Sequence, residues 1–80
     1  MNLQQIETFV HVAETGSFSK AAVLLETAQP ALSRQVRALE TELRETLLIR
    51  TGRGVTLTDA GRRLLEHGHA IMQRVALAKE

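Results

Sequence analysis

Two amphipathic helical stretches near the middle of the sequence are separated by only three residues, Glu26 to Ala28. The first stretch is about two turns long, can be capped by the Ser17 hydroxyl, ends near Leu25 and has its apolar residues on one side. These residues are Phe18, Ala21, Ala22 and Leu25. The second stretch starts where Pro30 can occupy the first turn of a helix without losing a hydrogen bond. Helices joined this tightly must cross steeply, so the pattern predicts a helix-turn-helix.

The stretch that contains Pro30 separates an apolar stripe from a polar face. Its large apolar residues recur at i, i+4, i+7 and i+11, the spacing of one side of a helix. They are Leu32, Val36, Leu39 and Leu43. The polar residues off this stripe, most of them hydrogen-bond donors, are Gln29, Ser33, Arg34 and Arg37. We expect this third helix to end near Arg44 and Glu45, although no glycine marks its end.

The flanking segments predict two more helices and a hairpin. A first helix covers roughly residues 3 to 14, with Asn2 as its cap and Gly16 after its end. The β-favouring runs LLIR and VTLT flank the glycine-rich segment Thr51 to Gly54, which predicts a hairpin. Thr58 can cap a last helix with Asp59 in its first turn, and this helix runs to the end of the chain for about 22 residues.

These elements predict a mainly α fold, a winged helix-turn-helix of three helices and a β-hairpin wing followed by a long C-terminal linker helix. We expect residues 1–58 to form the winged helix-turn-helix and residues 59–80 to form the linker. The linker has two adjoining apolar stripes, more than a domain this small covers, which predicts a homodimer. Its predicted dimer surface consists of Leu64, Leu65, Gly68, Ile71, Met72 and Val75. Neither Gly nor Pro follows this helix, which is typical of a piece of a longer protein.

The net charge of +1 hides an uneven distribution along the chain. Residues 1–28 carry one lysine against three glutamates, whereas residues 29–63 carry seven arginines against four carboxylates. Such an arginine-rich segment suggests an anionic partner, because the planar guanidinium matches phosphates and guanine edges. Carboxylates interleaved with arginines are typical of a solvated helix surface. These carboxylates are Glu40, Glu42, Glu45 and Asp59.

Several function classes are excluded by what the sequence lacks. It has no cysteine, and therefore no disulfide, thiolate nucleophile or zinc finger. Because it has neither a membrane-length apolar run nor a secretory signal, we expect a cytoplasmic protein that binds no membrane. His67 and His69 point to different sides of a helix, no carboxylate cluster joins them or His11, and TGRG precedes a strand rather than a helix. We therefore expect no enzyme, no metal and no cofactor in this domain.

The polar face of the third helix suits the major groove of DNA, which the second helix of a helix-turn-helix enters. Arg34 can bond bidentately to guanine, and Gln29 can do so to adenine. Ser33 can serve a base or a phosphate, and the ring of Pro30 can touch a thymine methyl group. Arg37, one turn further along, is placed to reach a phosphate.

The hairpin carries two further arginines. Arg53 sits at a tip flanked by glycines, and such an arginine can lie in the narrow, strongly negative minor groove of A·T-rich DNA. Arg50, near a strand end, is a phosphate candidate. From spacing alone, however, a solvated helix face also explains Arg34, and an ordinary exposed turn also explains Arg53. The alternative function is a protein-interaction and dimerisation module whose arginines keep it soluble.

Four segments strongly resemble the DNA-binding domain of LysR-type transcriptional regulators. They are GSFSKAA at the start of the second helix, QPALSRQVRALE in the third helix, RTGRGVTLT in the wing and TDAG at the start of the last helix. The resemblance implies a bacterial transcription factor whose linker helix pairs with its partner's linker and precedes an effector-binding domain. It also implies tetramers built from two dimers, bound to an interrupted inverted repeat in double-stranded DNA near a promoter, and we expect RNA polymerase as a further partner.

The resemblance also assigns roles to individual residues. The family's base-contacting positions fall on Gln29, Pro30, Ser33 and Arg34. Its minor-groove wing contact falls on Arg53, and Ser17 or Ser19 becomes a phosphate ligand.

Two positions depart from the family's pattern. Many members have Ser where this chain has Ala28, so we expect the third helix to lose its side-chain cap or to use Thr27, a difference of about 1 kcal/mol. Many members have Gly where this chain has Arg44, and a left-handed conformation at Arg44 would cost on the order of 1 kcal/mol unless this helix ends differently.

Overall fold

Four helices and one two-stranded hairpin make up the computed structural model, which describes residues 1–80. In chain order they are α1 (Leu3–Thr15), α2 (Phe18–Leu24), α3 (Gln29–Leu43), β1 (Leu48–Thr51), β2 (Gly54–Leu57) and α4 (Asp59–Ala78). The predicted winged helix-turn-helix with a long last helix is confirmed, and each predicted helix end lies close to the observed one. No helix combines the length and the apolar character that crossing a membrane requires.

Side chains cap three of the four helices, as the sequence predicts. Asn2, Ser17 and Thr58 each accept a hydrogen bond from a first-turn amide, at 2.8, 3.1 and 3.0 Å respectively. α3 has no side-chain cap, because Ala28 occupies the capping position. Thr27 does not replace the cap, since its hydroxyl donates to a carbonyl just after α2 at 3.0 Å. The predicted loss of the α3 cap is therefore confirmed.

The hydrophobic core lies where α1, α2 and α3 meet. Phe9 of α1 and Leu39 of α3 are fully buried, and Leu32 is nearly so. The apolar stripe predicted for α3 faces this core, with Val36 also buried and Leu43 partly buried against it. Because an α-helix exposes the side opposite its buried stripe, this packing leaves the polar face of α3 in solvent.

Leu47, between α3 and β1, joins the end of α3 to the start of the wing and of α4. Its side chain is buried, its N–H donates to Glu40 Oε2 at 2.7 Å, and its carbonyl accepts from the Thr58 N–H at 3.0 Å. Gly61 packs on the same carbonyl so closely that a Cβ there would lie 2.2 Å from the Leu47 oxygen. The interpretation of Glu40 as a solvated carboxylate is wrong, because its carboxylate accepts hydrogen bonds from the backbone that enters the wing.

Gly61→Ala is expected to lower the free energy of unfolding by about 1–3 kcal/mol, because the added methyl group overlaps backbone that cannot rotate away. In the matched control Gly52→Ala, the methyl group enters open space. We expect that control to change the free energy by less than about 0.5 kcal/mol. Urea denaturation followed by circular dichroism measures both, and equal effects of the two substitutions would contradict the close packing at Leu47.

α4 packs along α1 at a glycine. A Cβ on Gly68 would lie 2.7 Å from Val10 Cγ2, so only a residue without a side chain allows the two helices to approach this closely. Gly68 is therefore wrong as a dimer-surface residue, because α1 of the same chain covers it. Val75 is half-buried, and four further residues predicted for that surface pack partly against the core. These four are Leu64, Leu65, Ile71 and Met72.

Two residues other than glycine adopt a left-handed backbone, Glu26 with φ 51° and Arg44 with φ 55°. Arg44 is the C-cap of α3. The Arg44 N–H donates to the Thr41 carbonyl at 3.3 Å, and the next amide donates to the Glu40 carbonyl at 3.1 Å. Glycine favours this helix ending, because a Cβ strains the left-handed backbone. Arg44 therefore adopts the left-handed helix ending despite its side chain, and the helix does not end differently.

Arg44→Gly is expected to raise the free energy of unfolding by about 0.5–1 kcal/mol, because it relieves backbone strain at the end of α3. Arg44→Ala is the matched control, since it removes the side chain but keeps a Cβ on the left-handed backbone. Thermal and urea unfolding measure both. If alanine stabilised the domain as much as glycine does, the gain would come from losing the arginine rather than from the backbone.

Candidate nucleic-acid interface

One open concavity between α3 and β1 is lined entirely by residues that the sequence predicts as nucleic-acid contacts. They are Gln29, Pro30, Ser33, Arg34, Arg37 and Arg50. The three arginines among them are exposed, and no ion pair of the chain involves them. Their positive charge is therefore not neutralised by a carboxylate at contact distance, and it favours an anionic ligand.

The side chain of Arg50 crosses from the wing to the two helices. Its guanidinium carbon lies 3.9 Å from the centroid of the Phe18 ring at the start of α2. Its Nη2 donates a hydrogen bond to Ser33 Oγ of α3. The sequence predicts Arg50 and Ser33 as two independent nucleic-acid contacts, whereas in the structure a hydrogen bond links the two side chains. Phe18 was recognised from the sequence only as an apolar helix residue, because nothing in the spacing relates it to a residue of the wing.

Ser17 and Ser19 lie beside the concavity rather than inside it. Together with Gln29 and Arg50 they line a shallow groove between α2 and the wing. The Ser17 oxygen already accepts the capping hydrogen bond from the Lys20 amide, so its hydroxyl hydrogen is the part free to donate to an anion. Ser19 is the second residue of α2, and its side chain is exposed.

The wing is a hairpin of two four-residue strands with Arg53 in the connecting turn. The antiparallel pairing runs from Leu48 opposite Leu57 to Thr51 opposite Gly54. The Arg53 side chain is exposed at the tip, as the sequence predicts, and its backbone N–H bonds to Thr51 Oγ1 at 3.2 Å. The guanidinium of Arg53 has no ion-pair partner.

Two glycines attach the wing to the turn between α1 and α2. The Val55 N–H donates to the Gly16 carbonyl at 3.0 Å. Gly54, with φ 128°, lies against the same carbonyl, and a Cβ on it would be 2.2 Å from that oxygen. Sequence reasoning identified both residues as turn glycines but missed this contact, because glycines far apart in the chain carry no signal of their pairing.

The histidines lie outside the concavity. His69 Nε2 of α4 lies 2.8 Å from Glu14 Oε2 of α1 on an exposed surface. No group of three or more histidine, cysteine, aspartate or glutamate side chains is arranged to hold a metal ion. The contact between His69 and Glu14 joins α1 to α4, and neither residue lines the concavity.

A helix pair joined by a short turn and followed by a hairpin, with unpaired arginines on the second helix and on the hairpin tip, defines a winged helix-turn-helix DNA-binding domain. Residues 3–62 match the family described as "Bacterial regulatory helix-turn-helix protein, lysR family". The chain belongs to this family, and the resemblance carried by its four sequence segments is confirmed.

Curated relatives of this chain are transcriptional regulators. The chain is 49% identical over 79 residues to the nitrogen assimilation regulatory protein nac of Escherichia coli (strain K12), covering 99% of this chain and 26% of the relative. It is 48% identical over 75 residues to the probable cat1 operon transcriptional activator of Acinetobacter lwoffii, covering 94% of this chain and 25% of that relative. The chain thus spans about a quarter of the length of these relatives.

Solved structures with the same fold include two complexes with DNA. The BenM DBD/catB site 1 DNA complex has a TM-score of 0.93 and 40% sequence identity, covering 98% of this chain and 88% of that chain. The CbnR DBD–DNA complex has a TM-score of 0.92 and 38% identity, covering 99% of this chain and 91% of that chain. The likeness therefore extends over the whole domain, including the wing and the last helix.

Proposed function

We propose that this domain binds double-stranded DNA as a homodimer at an interrupted inverted repeat, with α3 in the major groove and the wing in the minor groove. The single observation that carries the proposal is the arginine face, which comprises Arg34, Arg37 and Arg50 in one concavity and Arg53 at the adjacent wing tip. All four are free of ion pairs, and α3 and the wing present them together. The DNA complexes formed by structurally similar domains support this arrangement.

The exposed face of α3 supplies the base contacts in this proposal. Arg34 donates two hydrogen bonds to guanine, and Gln29 pairs with adenine. The Pro30 ring contacts a thymine methyl group, and Ser33 uses its hydroxyl hydrogen toward a base or phosphate acceptor. These four residues lie within the first two turns of α3, where a recognition helix approaches base edges.

Phosphate and minor-groove contacts surround this base-reading set. Arg37, one turn further along α3, and the hydroxyls of Ser17 and Ser19 approach backbone phosphates. Arg53 enters a narrow minor groove, where A·T-rich sequence deepens the negative potential. The hydrogen bond to Ser33 keeps the Arg50 guanidinium close to α3. The only DNA group within its reach is then a backbone phosphate beside α3.

The proposed division of roles falls at residue 58, with the DNA-binding unit before it and the linker helix after it. This boundary separates roles and not folding units, because Leu64 and Leu65 of α4 pack against the core. Val75 continues the apolar side of α4 beyond that contact and suits pairing with a second copy. In the complete bacterial regulator we propose a following effector-binding domain, tetramers of two dimers, a cytoplasmic location and contact with RNA polymerase, with no cofactor in this domain.

Arg34→Ala is expected to weaken binding to the preferred duplex by about 1–3 kcal/mol and to relax the base preference at one position, because it removes a bidentate base contact. Arg37→Ala is the matched comparison from the same helix. It should weaken binding to all sequences alike and reduce the slope of log Kd against log salt by about one, as loss of a phosphate contact requires. Fluorescence anisotropy on the preferred and base-substituted duplexes at several salt concentrations separates the two effects.

Full discrimination between duplexes by the Arg34→Ala variant would contradict the base-reading role. Affinity that did not respond to salt would instead favour the protein-interaction module, because apolar association responds little to salt whereas phosphate contacts release counterions.

Val75→Asp is expected to shift the monomer–dimer equilibrium by about tenfold or more toward monomer, because it places a charge in the apolar contact between α4 helices. Val75 does not pack against the core of its own chain, so the domain should stay folded. Val23→Asp, at a position on α2 that is 78% exposed, makes the same chemical change elsewhere. Sedimentation equilibrium measures both, and an unchanged mass for Val75→Asp would show that this stripe is not the interface.

A further inference from the structure

We propose that Arg50 is a positioning residue that holds the wing against α3 and thereby sets the offset between the major-groove and minor-groove contacts. This inference rests on the proposed function and deepens it. It assigns to Arg50 a role beyond that of a phosphate ligand, namely selecting the distance along DNA between the bases read by α3 and the A·T-rich segment read by Arg53.

The first observation is that one side chain connects three elements. Arg50 belongs to β1, its guanidinium lies over the Phe18 ring of α2, and its Nη2 donates to Ser33 Oγ of α3. Ser33 lies between the proposed base-reading residues Pro30 and Arg34 in the sequence. The same hydrogen bond therefore anchors the wing at the part of α3 that the proposal places in the groove.

The second observation is that β1, apart from its pairing with β2, has few contacts that hold it to the helices. Only Leu48, its first residue, is buried, and the three residues that follow are exposed. A two-stranded hairpin is marginally stable on its own and depends on packing for a fixed orientation. β2 is tied to the α1–α2 turn through Val55 and Gly16. On β1, beyond Leu48, the Arg50 side chain supplies the corresponding attachment.

The third observation concerns the chemistry of the side chain. A planar guanidinium can stack on an aromatic ring with its face while its N–H groups donate in its own plane. The ammonium of lysine carries the same charge, but it is not planar and cannot stack face-on on a ring while donating hydrogen bonds in one plane. A phosphate ligand requires only the charge, whereas a bridge between Phe18 and Ser33 requires the arginine. Arg50→Lys therefore separates the two roles.

The geometry makes the wing tip sensitive to this attachment. From Leu48 to Thr51, β1 spans three residue steps, about 10 Å of extended strand, and Arg53 lies in the turn just beyond it. Successive base pairs of DNA are separated by about 3.4 Å. A modest swing of the strand about Leu48 therefore moves the Arg53 guanidinium by a distance comparable to one base pair.

The experiment compares two duplexes. The first is the sequence retained from a randomised duplex pool, and in the second the A·T-rich segment is moved by one base pair relative to the bases read by α3. We expect the unmodified domain to bind the shifted duplex at least about fivefold more weakly, a penalty comparable to that of a mismatched base pair. For Arg50→Lys the ratio of the two Kd values should fall toward one, while the slope of log Kd against log salt stays the same.

Three further variants make the test specific. Ser33→Ala removes the acceptor of the Arg50 hydrogen bond and should also lower the ratio. It removes the proposed base or phosphate contact of Ser33 as well, but that loss weakens binding to both duplexes alike and does not change the ratio. Arg53→Ala should bring the ratio of the two Kd values to one whether residue 50 is arginine or lysine, because no minor-groove contact is left to position. Arg74→Lys makes the conservative change at an exposed arginine of α4 and should leave the ratio intact.

Each other outcome overturns a defined part of the account. If Arg50→Lys weakens both duplexes equally and keeps the ratio, Arg50 is not a positioning residue. If the unmodified domain binds DNA but does not distinguish the two duplexes, the wing contact of the proposed function is wrong, and the role of Arg50 is wrong with it. If the unmodified domain binds neither duplex at low salt, the proposed function itself is wrong.

Discussion

The backbone around Leu47 is the constraint on which the remaining arrangement depends. Its N–H is held by the Glu40 carboxylate, its carbonyl is held by the Thr58 amide, and its side chain closes the core. These contacts fix where the chain leaves α3, where the hairpin begins and where α4 starts. Because β1 begins at Leu48, directly after Leu47, the position of Arg50 beside Ser33 of α3 is set by these contacts.

The arginine face follows from this arrangement and from the burial of one side of α3. The apolar stripe of the helix fills the core, so its donors must face outward, and the hairpin adds its own arginines at the same side. No carboxylate pairs with these arginines. Glu40, which lies on α3 among them in sequence, accepts hydrogen bonds from the wing backbone instead. A chain with a formal charge of only +1 thus presents a locally basic surface.

The sequence predicted the features that have a local signal. Helical periodicity identified the buried stripe of α3, and capping chemistry identified Asn2, Ser17 and Thr58. The family's glycine at the position of Arg44 left two endings of α3 open, and only the structure shows that Arg44 takes the left-handed one. Contacts between distant residues had no such signal, because a glycine or a carboxylate in a periodic pattern looks the same whether it faces solvent or a neighbouring helix. Gly68 and Glu40 were misassigned for this reason, and the Arg50 bridge was not foreseen.

We propose that one face of this domain, built from α3 and the wing, reads DNA sequence as a dimer. Fluorescence anisotropy of a randomised duplex pool at two salt concentrations, followed by sequencing of the retained fraction, tests it most directly. The account predicts enrichment of an interrupted inverted repeat and an affinity that falls as salt rises. Absence of binding even at low salt would contradict DNA recognition, and salt-sensitive binding without enrichment would contradict sequence reading by this domain.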